Sequence, residues 1–262
     1  MEKQQDIGTV VLSPVIEKYT IARPLAGEEA REVYNEVRGR AEKDFKNSPV
    51  FNTHFSFNED KGVITGSNTY WGILVNNALN ERGFRLPTIT EARELDSEGK
   101  LSNNVYRDFG MAVYNDGTPN QEVAKKLVEE AEKRGWELPV LAPFEALRLL
   151  KTGTRISFGK DPKGIISGDE ARQYLSDNFT YKGNSGARRL IRNRNGYWNA
   201  GWSGLDDSVD YGRVDWLCGE ATRADLETAV LKDVSKVAKA EIDSLNARIE
   251  SAKQAAIKTL KG

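Results

Sequence analysis

The most informative part of the chain is residues 105–141, which read VYRDFGMAVYNDGTPNQEVAKKLVEEAEKRGWELPVL. Val105 to Tyr114 has the β-branched and aromatic content of a strand. The run Thr118-Pro119-Asn120-Gln121 combines a capping box with proline at the first helical position, which predicts a helix that continues to Gly135. Leu138 to Leu141 is a second strand. A strand, a helix and a strand within about 40 residues predict a βαβ unit with a parallel strand pair.

On either side of this unit, helices and strands continue to interleave. Helices are predicted over 27–45, 67–78 and 167–175, and a hairpin joins runs at 50–57 and 62–65. Residues 179–217 have the pattern of strands. The fold class is therefore α/β to α+β, with a mixed sheet that contains at least one βαβ unit, a C-terminal part rich in β-hairpins, and a long C-terminal amphipathic helix.

That last helix is predicted from a cap at Thr222 to about Leu260. Its apolar positions step by three or four residues and are Leu231, Val234, Ala238, Ile242, Leu245, Ile249, Ala252 and Ala256. Such a stripe covers one face of a helix. Either the helix lies along its own domain, or segment 222–260 provides a surface for a partner helix or for self-association. The predicted domains are a globular body over 1–220, with two lobes meeting near 100 or 150 as an alternative, and the helix over 222–262.

Composition excludes several classes of function. One cysteine and one histidine cannot provide the usual ligands of a zinc site, and no internal disulfide can form. No apolar run is long enough to cross a membrane, and the N-terminus lacks a secretory signal, so a cytoplasmic protein is expected. Segment 153–160 has five residues between its two glycines, and Asp161 follows Lys160. A phosphate-binding loop has four residues between its glycines and a Ser or Thr after the lysine, so this segment is not one. The sequence predicts no cofactor.

Charge is strongly segregated along the chain. The segment from Asn178 to Leu205 contains no acidic residue and five basic ones, which are Lys182, Arg188, Arg189, Arg192 and Arg194. The whole chain carries a formal charge of −1, so the remainder sums to −6. Tyr197, Trp198 and Trp202 lie within the basic segment. Arginines beside aromatic rings are typical of surfaces that bind nucleic acid or acidic proteins.

A hairpin turn at Asn195-Gly196 organises this segment, because Asn-Gly favours a two-residue type I′ turn. That turn pairs Arg192 with Asn199 and Ile191 with Ala200. Alternation then sends Ile191, Trp198, Ala200 and Trp202 to the core, and Arg188, Leu190, Arg192, Arg194, Tyr197 and Asn199 outward. The candidate residues for binding an anion or a nucleic acid are Lys182, Arg188, Arg192, Arg194, Tyr197 and Asn199.

Acidic residues follow directly after the basic hairpin. Asp206, Asp207, Asp210, Asp215 and Glu220 could bind a divalent metal ion, although their spacing does not match an EF-hand. They could equally form a solvated acidic loop that pairs with the hairpin. Nucleophilic chemistry could use only Cys218 or a hydroxyl, with His54 as the base.

The stretch Thr69-Tyr70-Trp71 through Arg85-Leu86-Pro87-Thr88, with Glu91 after it, resembles part of one known fold. It is similar to the helix and R-L-P-T-x-x-E motif in C-type-lectin-like folds of the formylglycine-generating-enzyme type. The resemblance covers about 25 residues and implies the fold alone. Ala92 and Arg93 stand where that family has an aromatic, and a single cysteine cannot supply its paired cysteine nucleophiles.

Three functions are consistent with these features. The first is a binding or accessory protein, not an enzyme, that presents hairpin 188–199 to an anionic partner and has a C-terminal helix for docking or self-association. The second is a carboxylate-based hydrolase, with or without a divalent metal ion. The third is a structural subunit of an assembly.

Overall fold

The computed structural model describes residues 20–101, 103, 105–114, 122–150, 156–179, 187–192, 195–199, 204–208, 210–214, 216–220, 239, 242–254 and 257. Residues 21–219 form one compact unit. Helical residues 242–254 belong to a second unit. The fold is of mixed α/β class with a mixed sheet, hairpin strands and a C-terminal helix, as the sequence predicts.

The helices predicted over 27–45, 67–78 and 167–175 are present, whereas the predicted β run 50–57 begins with a 3-10 turn at Pro49–Phe51 and becomes a strand only at Ser56. Among the described residues of the 21–219 unit, the α-helices are α1 (Gly27–Asp44), α2 (Thr69–Asn80), α3 (Ile89–Ser97), α4 (Glu122–Lys133) and α5 (Gly168–Asn178). The strands are β1 (Thr20–Pro24), β2 (Ser56–Asn58), β3 (Val63–Thr65), β4 (Phe84–Arg85), β5 (Tyr106–Tyr114), β6 (Val140–Pro143), β7 (Leu147–Leu149), β8 (Ile156–Phe158), β9 (Ile166–Ser167), β10 (Ala187–Arg192), β11 (Trp198–Asn199), β12 (Gly212–Val214) and β13 (Trp216–Glu220).

Strand β5 organises the largest sheet, whose order is β11-β10-β5-β12-β3-β2. One edge of β5 pairs with β10 along most of its length. The other edge is divided between two strands. Tyr106 and Arg107 pair in parallel with β12, and residues 111–114 pair antiparallel with β6. A second sheet has the order β1-β13-β4, and β7 and β8 form a separate antiparallel pair.

The order strand, helix, strand over 105–141 is confirmed, but the predicted parallel pairing of its two strands is wrong. Strands β5 and β6 are antiparallel neighbours, with Ala112 opposite Ala142. The parallel partner of β5 is β12, which lies about 100 residues later in the chain. A helical connection is long enough to return the chain in either direction, so the connection alone does not determine the strand orientation.

Helix α2 lies at the centre of the body. Ten of its twelve residues are buried, which explains why its sequence, TYWGILVNNALN, has almost no polar face. Its cap is Asn68, one residue after the predicted start, and the Asn68 Oδ1 accepts a hydrogen bond from the Trp71 amide at 2.9 Å. The Asn68 Nδ2 also donates to Thr53 Oγ1 at 2.9 Å. One side chain thus fixes both the helix start and the preceding loop.

The start of α3 and part of the C-terminal helix are confirmed. Thr88 and Glu91 form the predicted reciprocal capping box. Residues 242–254 are helical, whereas the predicted cap at Thr222 lies outside the described residues. Within the described part of the chain, no helix combines the length and the apolar character needed to span a bilayer.

Candidate anion-binding hairpin

The basic hairpin consists of β10 and β11, with β10 lying between β11 and β5 in the large sheet. Ile191 pairs with Asn199, and Arg192 pairs with Trp198. Residues 193–197 therefore connect the two strands, and Gly196 in this connection has a positive φ of 84°. The predicted two-residue turn is wrong, because Arg192 pairs with Trp198 rather than with Asn199. The register of the hairpin thus differs from the prediction by one residue. A local Asn-Gly preference favours a tight turn, but contacts of the flanking strands determine the register here.

The predicted outward direction of Arg192 is also wrong. Only 4% of Arg192 is exposed. Its Nε and Nη2 donate to the two carboxylate oxygens of Asp96 at 2.9 and 2.8 Å, and its Nη2 donates to Asn103 Oδ1 at 2.9 Å. A bidentate pair of this kind satisfies a buried guanidinium. Arg192 thus holds the base of the hairpin against the end of α3.

Two further residues predicted to point outward are buried, namely Leu190 and Asn199. The pairing of β10 with β5 changes register between Arg189 and Ile191, so strict alternation fails there. Ile191 is buried, as predicted. The sequence could not reveal this irregularity, because it arises from the pairing with β5.

Tyr197 is the described candidate that faces solvent, with 65% of its surface exposed. It lies next to Trp198, which is anchored. The Trp198 ring stacks on Phe109 at a centroid distance of 4.9 Å, and the Arg93 guanidinium lies 5.1 Å from the Trp198 centroid. Packing of Trp198 against the body is as predicted. Lys182, Arg194 and the side chain of Arg188 lie outside the described residues.

The acidic segment does not form a described metal site. Asp206, Asp207 and Asp210 are exposed, and the side chains of Asp215 and Glu220 lie outside the described residues. Asp207 Oδ2 accepts a hydrogen bond from the Gly204 amide at 2.6 Å and so closes a turn. Among the described residues there is no group of three or more His, Cys, Asp or Glu side chains suited to a metal ion. Metal-dependent chemistry in segment 206–220 stays a prediction.

The single histidine and the single cysteine have different surroundings. His54 is exposed, and its Nε2 lies 3.1 Å from Ser56 Oγ and 3.2 Å from Thr65 Oγ1, beside strands β2 and β3. Cys218 is buried opposite Arg85. Burial, together with the negative charge of Glu91, raises the pKa of the Cys218 thiol to about 12. At neutral pH Cys218 is therefore a protonated thiol and a poor nucleophile.

Glu91 is the acceptor in a compact ion pair beside Cys218. The Arg85 guanidinium donates to both Glu91 oxygens at 2.7 and 2.6 Å, and the backbone amide and hydroxyl of Thr88 donate to Oε2 at 2.8 Å each. Burial raises the pKa of Glu91, but these donors together outweigh burial and lower the pKa to about 2.

This ion pair predicts an acid-dependent loss of stability. The Glu91 pKa is lower in the folded protein than its ordinary value of 4.5. The contribution of Glu91 to the free energy of unfolding is therefore complete above pH 4.5 and is lost as the pH falls towards 2. We expect Glu91→Gln to reduce the drop in unfolding free energy between about pH 6 and about pH 3. Urea denaturation of both proteins at the two pH values measures this difference. An equal drop in both proteins would contradict the assignment.

The partners of Arg192 are the site residues that sequence reasoning missed. Asp96 lies in the last turn of α3, and Asn103 lies just beyond it, about 90 residues before Arg192. No local pattern connects residues so far apart. The single available signal was the preference of a buried arginine for a carboxylate partner.

No family model, no curated protein and no solved structure matches the chain. The likeness of residues 69–91 to formylglycine-generating-type folds therefore stays a resemblance in sequence.

Proposed function

We propose that the protein is a binding protein, not an enzyme, and that hairpin 187–199 contacts a single-stranded nucleic acid. The observation that carries the proposal is the exposure of Tyr197, which presents 65% of its surface to solvent in the connection between β10 and β11. Tyrosine rings on basic surfaces stack on unpaired bases, and each such stack contributes about 1–3 kcal/mol.

The charge of the segment favours the same partner. Arg192 is neutralised by Asp96, which leaves Lys182, Arg188, Arg189 and Arg194 in a segment without any acidic residue. Arg194 belongs to the same five-residue connection as Tyr197. A nucleic acid strand offers phosphates to the arginines and bases to the Tyr197 ring. An acidic protein surface offers carboxylates to the arginines but no base to stack on the ring.

The ion pair below the connection favours a preorganised surface. Arg192 is held by Asp96 and Asn103, and an added side chain at Gly196 would lie 3.3 Å from both Arg192 and Asn103. The connection that carries Tyr197 is thus packed against Arg192 and Asn103 at Gly196. A connection held in place loses less conformational entropy on binding than a freely moving one.

Fluorescence anisotropy with a labelled oligothymidine of about 20 nucleotides tests the proposal over a series of salt concentrations. We expect Tyr197→Ala to raise Kd by about tenfold or more, because a stacked ring is lost, and Tyr197→Phe to retain most of the affinity. We expect Arg194→Ala to make the dependence of log K on log salt shallower by about 0.7. Arg148, an exposed arginine on β7, provides the matched control Arg148→Ala, which should bind like the unaltered protein.

Two results would contradict the proposal. The first is the absence of salt-dependent binding to the oligonucleotide at low ionic strength. The second is tight binding of poly-glutamate that is lost in Arg194→Ala and unaffected by Tyr197→Ala. That second pattern would identify an acidic protein surface as the partner, since only the charge would then matter.

A further inference from the structure

A second exposed tyrosine lies at the same end of the large sheet as Tyr197. Strands β11, β5 and β12 run in one direction, because β10 is antiparallel to both β11 and β5, and β12 is parallel to β5. Tyr197 directly precedes β11, Tyr106 begins β5, and Tyr211 directly precedes β12. These three tyrosines are therefore found where neighbouring strands of one sheet begin.

The strand register gives the separation of Tyr197 from Tyr211. One row of paired residues crosses the four neighbouring strands and consists of Trp198, Arg192, Arg107 and Arg213. Tyr197 precedes this row by one residue and Tyr211 by two. Neighbouring strands lie about 4.8 Å apart, so the two backbones are roughly 14 Å apart. A strand with stacked bases rises about 3.4 Å per nucleotide, so about four nucleotides span this distance.

Tyr211 is exposed and has a packed neighbour. It is 40% exposed, and its ring centroid lies 5.2 Å from that of the half-buried Tyr106. The Tyr106 backbone amide also donates to the Tyr211 carbonyl at 3.3 Å. A side chain supported in this way loses less conformational entropy on binding than a freely moving one.

The charges beside Tyr211 oppose each other. Arg213, two residues later on β12, is half-buried and attracts phosphate. Asp210 directly precedes Tyr211, is exposed and repels phosphate. Charge therefore supplies little net attraction at this position. Stacking on an aromatic ring attracts a base by its own contact, independently of these charges.

We propose that Tyr211 is a second base-stacking residue, which contacts the nucleic acid about four nucleotides from the base that stacks on Tyr197. The proposal rests on the proposed function, because it adds a contact with the same single strand. It extends the binding surface from the hairpin across β5 to the start of β12.

Fluorescence anisotropy with the same labelled oligothymidine tests this second stack. We expect Tyr211→Ala to raise Kd at least about fivefold, because one stacked base is lost, and Tyr211→Phe to retain most of the affinity. Asp210→Asn should lower Kd, because it removes a charge that repels phosphate. In a double variant, the fold-changes of Tyr197→Ala and Tyr211→Ala should multiply, because distant sites act independently.

Tyr211→Leu keeps the test decisive if the alanine variant does not fold. Leucine retains an apolar contact with Tyr106 but offers no aromatic face, so it should weaken binding as alanine does. Circular dichroism melting of each variant shows whether the body is folded.

The possible failures of the two proposals are distinguishable. An unchanged Kd for the folded Tyr211→Ala or Tyr211→Leu protein, with a raised Kd for Tyr197→Ala, would overturn the second stack alone. A double variant no weaker than the weaker single variant would mean that both rings contact one base, and it would also overturn the second stack. Absence of oligonucleotide binding by the unaltered protein would overturn the proposed function and the second stack together.

Discussion

Replacement of Trp71 by alanine is expected to lower the free energy of unfolding by about 3–5 kcal/mol, the range observed for large aromatic residues in protein cores. Trp71 is fully buried in the first turn of α2. Its ring stacks on Phe55 at a centroid distance of 4.2 Å and meets the edge of Phe51 at 4.7 Å. Its Nε1 donates to Thr53 Oγ1 at 3.2 Å. Alanine would remove all of these contacts and leave a cavity.

Urea denaturation followed by circular dichroism measures this loss. Trp71→Phe provides the control, because it retains an aromatic ring in the stack and removes the indole hydrogen bond. It should cost clearly less than Trp71→Ala, and it keeps the comparison measurable if the alanine variant does not fold. A loss below about 1 kcal/mol for Trp71→Ala would contradict the central position of this residue in the core.

Arg192→Ala is the second change for which a large effect is expected, a loss of about 3 kcal/mol in unfolding free energy. Removal of one partner from a buried ion pair leaves the other charge without compensation. Here the Asp96 carboxylate would remain, with its side chain 24% exposed. This partial exposure sets the expected loss at the lower end of the range for buried pairs, because water can solvate Asp96 in part.

A double-mutant cycle with Asp96→Ala separates the ion pair from the packing of each side chain. We expect the double variant to lose less unfolding free energy than the two single variants do in total. Removal of both side chains leaves no unpaired charge. Arg148→Ala is the control for removal of an exposed arginine and should change stability by less than about 0.5 kcal/mol. Additive losses in the cycle would contradict a coupled pair.

Arg192→Ala also links stability to the proposed function. Arg192 supports the connection that carries Tyr197, and its own side chain is buried and bound to Asp96. If Arg192→Ala weakens binding of the oligonucleotide, the effect operates through the position of the connection, and the salt dependence should stay unchanged. Arg194→Ala should instead reduce the salt dependence.

Several elements could be predicted from the sequence because their signals are local. The capping box at Thr88 and Glu91 predicts the start of α3, and the apolar spacing of 242–254 predicts a helix. The turn between β2 and β3 is likewise marked by its own polar residues, and the two strands are antiparallel neighbours as expected. Each of these signals acts between residues a few positions apart, where sequence spacing fixes spatial distance.

The candidate site instead depends on contacts between residues far apart in sequence. The sequence shows that residues 178–205 are basic, aromatic and free of acids, and its patterning predicts helices that interleave with strands. Three other features depend on tertiary contacts, namely the inward turn of Arg192 to Asp96, the one-residue shift of the hairpin register, and the antiparallel pairing of β5 with β6. All three have one cause. Each outcome depends on a partner distant in sequence, and burial against that partner outweighs the local preference of the turn or connection.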